Sequence, residues 1–278
     1  MTKRPILITL LTTAALALTL GACGQDGDQP SDPGAATTPA GNPNVDREGN
    51  DLGFEPVNLG KLTVCTNPPY LPFQDTDTAT GTIIGFDMDL MAEVANDLGL
   101  EMVPRDTPFE AIESAAALNV GDCDVGASAL TITEDRKAKL DFSEPYYEAV
   151  MGMLVMADSG ITSLADLEGK AVGVQQGTTG DYWAEEQPEL TNVRQFEGLG
   201  EQVTALRAGE VQGVLNDEPA LARYVEDGTM TIGIIFNTDE TMGFAVKKGN
   251  TALLTAINQT LDRLKSDGTF DQIMERWF

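Results

Sequence analysis

Along most of this chain, short apolar runs that suit buried strands alternate with stretches in which apolar residues recur every three or four positions, the spacing of a helix with one buried stripe. Leu62-Thr63-Val64-Cys65 opens as a strand, and Met91, Val94, Ala95 and Leu98 follow the helical pattern. Thr107-Pro108-Phe109-Glu110 supplies a capping residue, a proline at the first helical position and a glutamate three after the cap, so a helix is predicted to start there. Asp124 to Leu130 reads as a buried strand. The second half repeats the logic, with a strand over Lys170 to Val174, a turn over Gln175 to Gly180, a helix from Asp181, a helix over Leu199 to Ala208, and turn and strand over Gly209 to Leu215. A strand over Gly243 to Lys247 and a helix carrying Leu253, Ile257, Leu261 and Leu264 close the chain. The alternation predicts α/β layers. A helix end, a glycine and an acid lead into a strand both at Leu118 to Val125 and at Ala208 to Leu215, a weak internal symmetry that fits two similar lobes.

The N-terminus breaks this pattern. Lys3 and Arg4 precede an uncharged run from Ile6 to Leu20 and then Leu20-Gly21-Ala22-Cys23, which reads as a secretory signal over residues 1–22 ending in a lipobox-like site. The apolar run is shorter than the roughly 20 residues of a comfortable transmembrane helix. Residues 23–56 are rich in Gly, Pro, Asp, Asn and Thr and nearly free of large apolar residues, the composition of a flexible tether. Roughly 220 residues remain, enough for one large domain or two lobes of about 100 residues each.

Charge narrows the function. The chain carries 17 Lys and Arg against 44 Asp and Glu, a formal net charge of −27. Removing residues 1–22 takes away Lys3 and Arg4 and no acid, which moves it to −29. So acidic a chain argues against nucleic acid as a partner, because phosphate binding needs basic patches. An isolated cation in a cleft stands out against that background. With 0 histidines in the chain, the commonest acid–base catalyst and metal ligand is missing, and no Ser-His-Asp arrangement can form. Cys23 aside, Cys65 and Cys123 remain; their spacing is not that of a metal site, and an oxidising compartment permits a disulfide. Cys65 falls late in one predicted strand and Cys123 at the start of another, and the stagger of neighbouring parallel strands favours two buried thiols over a bridge, for which the Cα atoms must lie within ~7 Å.

One segment places chemistry. Thr131-Ile132-Thr133-Glu134-Asp135-Arg136 follows the strand ending at Leu130, so Arg136 lies near the carboxyl end of a strand, where open α/β sheets bind ligands. A guanidinium there can grip a carboxylate through two parallel hydrogen bonds, or it can pair at the surface with Glu134, Asp135 or Asp141. Together with Gly85-Phe86-Asp87-Met88-Asp89-Leu90 upstream and Asp141-Phe142-Ser143-Glu144-Pro145-Tyr146-Tyr147 downstream, this segment resembles the amino-acid-binding family of bacterial solute-binding proteins that serve ABC importers, in chain order from about Leu62 to Phe278.

The resemblance implies a two-lobed periplasmic-binding-protein-like fold, with residues 57–149 and 242–278 forming lobe 1, residues 150–241 forming lobe 2, and a hinge of two crossings near Glu148 to Val155 and Asn237 to Phe244. By matching positions it makes Arg136 the clamp on a ligand α-carboxylate, helped by Ser128 and Thr131, with Ala129 able to contribute only its backbone amide. Asp217, in Leu215-Asn216-Asp217-Glu218-Pro219, matches the aspartate that accepts the ligand's α-ammonium; capping the next helix is the competing role. Thr178 and Thr179 sit at a Gly-flanked helix start that can reinforce the carboxylate site or simply cap the helix. Tyr70 and Phe109 match two rings that sandwich a ligand side chain, whereas Phe73 is assigned to the core. Asn67 stands where relatives taking basic amino acids have an acid, which points to a polar uncharged or acidic ligand, with glutamine a first guess. Asp87 and Asp89 are assigned to the positive N-terminal end of their helix.

The function these expectations describe is a non-enzymatic, extracytoplasmic lipoprotein, lipidated at Cys23, that captures a free L-amino acid and delivers it to membrane permease subunits as a monomer, with no cofactor, no metal and no nucleic acid. A dehydratase on the same scaffold and a sensor signalling through a separate partner are the rivals, since fold alone does not fix function.

Overall fold

A computed structural model of the chain describes residues 51–278. The signal segment, Cys23 and the tether up to residue 50 lie outside the described residues; the last residues of the proposed 23–56 tether are not free chain, because Phe54 is buried in the core and Leu52 packs against it. In chain order the elements are β1 (Lys61–Thr66), the short pair β2 (Asp75–Thr76) and β3 (Ile83–Ile84), α1 (Phe86–Asp97), β4 (Glu101–Asp106), α2 (Phe109–Glu113), α3 (Ala116–Val120), β5 (Val125–Gly126), α4 (Glu134–Lys137), β6 (Leu140–Phe142) and β7 (Tyr147–Met156). After a short 3-10 turn come β8 (Ala171–Gln175), α5 (Thr179–Glu185), β9 (Asn192–Phe196), α6 (Leu199–Arg207), β10 (Gly213–Asp217), α7 (Glu218–Ala222), β11 (Met230–Met242), β12 (Ala245–Lys247), α8 (Thr251–Asp267) and α9 (Thr269–Trp277).

These build two five-stranded sheets, β4-β1-β5-β12-β6 and β11-β7-β10-β8-β9. β1 and β8 are central, parallel-paired strands, buried along nearly their whole length, so their sequences run apolar rather than alternating. The chain passes between the sheets along β7 and β11, which pair antiparallel from Tyr147↔Met242 to Met230↔Met156, with irregularities between Ile232 and Ile234 and between Phe236 and Glu240. β12 then enters the first sheet, antiparallel to both β5 and β6. α8 buries Leu253, Ile257, Leu261 and Leu264, the predicted stripe, and packs with α9 on α1. Phe73 is fully buried, as assigned, 5.5 Å from the ring of Phe278. Gly85 opens α1 at φ 140, and a Cβ there would meet the Phe73 carbonyl oxygen at 2.2 Å, so no other residue fits.

Three further expectations need correction. The helix after Thr107 begins one residue later than predicted: Pro108 is the capping position of α2 and no side chain caps it, while the Thr107 hydroxyl donates to the Arg105 carbonyl. The strand predicted over Asp124 to Leu130 shrinks to Val125–Gly126, because the chain leaves the ladder and Ala129 adopts φ 50. Cys65 and Cys123 form a disulfide, with Cα atoms 5.7 Å apart. Cys123 does not lie on an extended strand: β5 starts only at Val125, and the bend before it brings Cys123 back over Cys65 beneath α2 and α3.

Candidate functional site

Every ligand-binding residue expected from the sequence lines one cavity, of about 420 Å³ including its mouth. The first sheet contributes Asn67 just after β1, Tyr70 in the loop beyond it, Phe109 at the start of α2, Ser128, Ala129 and Thr131 in the segment after β5, and Arg136 from α4. The second contributes Thr178 and Thr179 at the head of α5 and Asp217 at the end of β10. Gln74, Met151, Gln175, Gly180 and Asn216 complete the wall and were not foreseen. Gln175 and Asn216 also end parallel strands, so the rule that found Arg136 could have found them; Gln74 and Met151 carry no local signal.

Thr133 caps α4 by accepting the Arg136 N–H, which points the arginine side chain inward. Its side chain is 3% exposed. Nη1 donates to the Thr131 carbonyl at 2.8 Å and Nη2 to the Gly177 carbonyl at 2.8 Å, while Nε lies 3.6 Å from Glu113 Oε2. The guanidinium carbon also sits 5.4 Å from the centroid of the Phe109 ring. None of Glu134, Asp135 and Asp141 is its partner, so the surface-pair alternative is not realised: Glu134 bonds Lys137 and Asp141 bonds Lys248. Burial lowers the arginine pKa and Glu113 opposes the shift, yet a guanidinium stays protonated in a protein. Of its five N–H groups three face protein oxygens, which leaves two for a planar anion.

Around it, Ser128 Oγ accepts from the Asn67 N–H at 3.1 Å and from Gln74 Nε2 at 3.1 Å. The Ala129 amide, expected to face a ligand, instead donates to Asp87 Oδ2 at 2.8 Å. Asp87 is fully buried, takes the Tyr146 hydroxyl on its other oxygen at 2.8 Å, and is pushed up to about 7 by burial, against the pull of both hydrogen bonds. It therefore anchors the turn after β5 to α1 and to the start of β7, beyond the helix-end role assigned to it. Asp89 binds Arg276 and the Trp277 indole.

At the opposite end, Asp217 occupies the capping position of α7 but its side chain makes no capping bond. Tyr70 Oη lies 2.6 Å from Asp217 Oδ2 and 2.5 Å from Asn216 Oδ1. One hydroxyl hydrogen cannot serve both oxygens fully, and a proton on Asp217 resolves the conflict. Burial pushes the Asp217 carboxyl up to about 7; the Tyr70 bond and Arg136 pull it down and Glu240 pushes it further up. Burial and the neighbouring Asp217 raise the Tyr70 phenol well above its ordinary value, so it stays protonated; it donates to Asn216 Oδ1 while its oxygen accepts the proton held by Asp217. Tyr70 is buried although it lies in a proline-rich loop, because that hydroxyl has partners inside.

Thr178 takes the plain capping role: its hydroxyl oxygen accepts from the Asp181 N–H and its hydroxyl donates to the Gln175 carbonyl. Thr179 donates to Glu240 on β11 at 3.3 Å. Gln175 Nε2 reaches across to Asn67 Oδ1 at 2.8 Å. The Arg136–Gly177, Tyr70–Asp217 and Gln175–Asn67 bonds thus all cross from one sheet's elements to the other's.

Two lobes meeting over a cavity with one buried cation and one buried carboxylate define a ligand-binding protein of the two-lobed, hinged class. The chain belongs to the bacterial extracellular solute-binding proteins, family 3, whose family model matches residues 62–278. Among curated relatives it is 31% identical over 239 residues to a probable histidine-binding protein of Neisseria gonorrhoeae, covering 83% of this chain and 88% of that one. It is 35% identical over 203 residues to the glutamine-binding protein GlnH of a Bacillus subtilis ABC transporter, covering 72% and 74%. Among solved structures, an ancestral arginine-binding protein matches with arginine bound (TM-score 0.74) and with glutamine bound (TM-score 0.73), each at 37% identity over 79% of this chain and 98% of that one. Among the described residues no helix is long and apolar enough to cross a membrane.

Proposed function

We propose that the protein captures the zwitterion of a polar L-amino acid between its two lobes and delivers it to the permease of an ABC transporter. The observation that carries this reading is the pairing on one cavity of buried Arg136, from the first lobe, with buried Asp217, from the second. An α-carboxylate takes the two remaining N–H groups of Arg136, with Thr131 beside it. An α-ammonium takes Asp217, replacing the proton there and freeing Tyr70 to stay bonded to Asn216. Phe109, held against the guanidinium, and Tyr70 enclose the ligand's side chain. Only a molecule carrying both charges bridges the lobes, which couples binding to closure about β7 and β11. An ion pair at each end and an enclosed side chain are compatible with micromolar affinity, about −8 kcal/mol.

The lobes in this reading are residues 57–149 with 242–278, and residues 150–241. Residues 1–22 are removed, Cys23 carries lipid at the outer face of the membrane, and the tether that begins at Cys23 spans the distance to the permease up to the point, near Leu52 and Phe54, where the chain packs into the core. The curated relatives named above are amino-acid-binding proteins, and nothing in the cavity calls for bond breaking.

The test is a thermal-shift and calorimetric screen of the mature protein, refolded with its disulfide intact to strip ligand, against the L-amino acids. A ligand at about 1,000 times its Kd adds ~4 kcal/mol and raises the Tm by several degrees. Stabilisation by a narrow set of L-amino acids recovered unchanged is expected. No response to any of them would sink the reading, and conversion of one into another compound would make the protein an enzyme.

A further inference from the structure

Resting on that reading, we infer that Gln74 selects the ligand's side chain, and that the preferred ligand is an α-amino acid whose side chain ends in a neutral carboxamide, donating an N–H to Gln74 Oε1. Gln74 lines the cavity and is 1% exposed, and its Oε1 is a buried oxygen without a hydrogen-bond partner among the described residues. The orientation of its amide is fixed by chemistry. Nε2 lies 3.4 Å from the Asn67 carbonyl and 3.1 Å from Ser128 Oγ, and a carbonyl can only accept, so the NH2 faces Asn67 and the oxygen is left over. The main chain is pinned as well, through Tyr70 N–H to the Gln74 carbonyl at 2.6 Å and Gln74 N–H to the Tyr70 carbonyl at 3.1 Å. A buried acceptor kept unpaired costs stability, and a ligand N–H removes that cost.

The charges on the wall identify the kind of donor. Arg136 and Asp217 are its charged residues, and the α-carboxylate and α-ammonium match them one to one. What remains for the side chain is neutral: the carboxamides of Asn67, Gln74, Gln175 and Asn216, with Met151 and the rings. Glu113 and Glu240 stand outside this wall, against Arg136 Nε and Thr179. A cationic side chain in the cavity would be buried without a counter-charge, and an anionic one would face Gln74 Oε1 without a hydrogen to offer.

The test is isothermal titration of the stripped mature protein with L-glutamine, L-glutamate, L-norvaline and L-arginine, repeated with Gln74→Leu and Gln74→Glu. L-Glutamine is expected to bind the wild type roughly 10- to 100-fold more tightly than glutamate or norvaline. Gln74→Leu should collapse the glutamine-to-norvaline ratio, and Gln74→Glu should move preference toward arginine. If the wild type favours glutamate or arginine over glutamine, or Gln74→Leu keeps the ratio, the inference is overturned while amino-acid binding stands. Should no amino acid bind, the transport reading itself fails and takes this one with it. The wild-type ratios decide even if neither variant folds.

Discussion

The two ends of the cavity hold opposite charges in opposite ways. At the end proposed for the ligand's carboxylate the charge is permanent: Arg136 is locked by two carbonyls, one from each lobe, and by Glu113, so its free N–H groups stay in place whatever the pH. At the ammonium end the charge is conditional: Asp217 is buried, sits against a hydroxyl that can satisfy only one of two oxygens, and holds a proton up to about pH 7. On the proposed reading, such a site takes a ligand's carboxylate by pre-organisation and its ammonium by exchange for a proton.

The strongest way to break this contrast is Arg136→Ala. Removing one partner of a buried, hydrogen-bonded charge pair costs about 2–5 kcal/mol, so amino-acid affinity should fall by roughly 30-fold to several thousandfold, measured by titration calorimetry. Arg136→Lys should restore little of it, because an ammonium supplies a point charge without the planar fork. Full affinity in Arg136→Ala, with the fold intact by circular dichroism, would remove the clamp.

The disulfide tests whether the carboxylate end owes its rigidity to a covalent tie. Cys65–Cys123 closes a separation of 58 residues beneath α2, which carries Phe109 and Glu113. Replacing both cysteines by serine should lower stability by about 2–4 kcal/mol, seen in urea denaturation, and leave the affinity unchanged.

The ammonium end should answer to pH. Asp217 carries a raised carboxyl pKa in the folded, ligand-free protein, so the proton it retains stabilises the fold fully below the ordinary carboxylate value, and that contribution is lost as pH climbs toward about 7. Asp87 adds a change of the same sign. Ligand-free stability should therefore decline between about pH 4 and pH 7, and saturating ligand should flatten the decline. The same proton competes with the ligand ammonium, so affinity should fall about tenfold, ~1.4 kcal/mol, for each pH unit below 7. Asp217→Asn should weaken binding and erase this slope; a slope that survives the substitution would assign the titration to Asp87 instead.

Much of this site could be read from the sequence: Asp217 ends a strand, and Arg136 lies in the helix that follows an apolar run, although the strand in that run stops at Gly126. Arg136 and Asp217 each follow an apolar run, and the alternation of runs and helical stripes placed the layers. What could not be read depends on contacts between residues far apart in the chain. The partners of Asp87 are Ala129 and Tyr146, and no local pattern announces that a helix-start acid will hold a distant turn. An apolar run likewise does not show where its backbone departs from the ladder, so β5 was drawn too long and the disulfide was disfavoured for that reason. Gln74 reaches the cavity only because its loop folds back on Tyr70.

The smallest effect concerns Ala129, whose left-handed backbone at φ 50 is held by the Asp87 bond. That conformation costs a residue with a Cβ roughly 1–2 kcal/mol, whereas glycine adopts it freely but loses about 0.5–1 kcal/mol more than alanine in chain entropy on folding. Ala129→Gly should therefore gain between nothing and about 1.5 kcal/mol, a Tm rise of at most a few degrees in a scan at neutral pH. Because the Ala129 amide serves Asp87 rather than the ligand, affinity should stay unchanged. A higher Tm together with weaker binding would mean that the rigidity of this turn, and not the arginine alone, sets the carboxylate end.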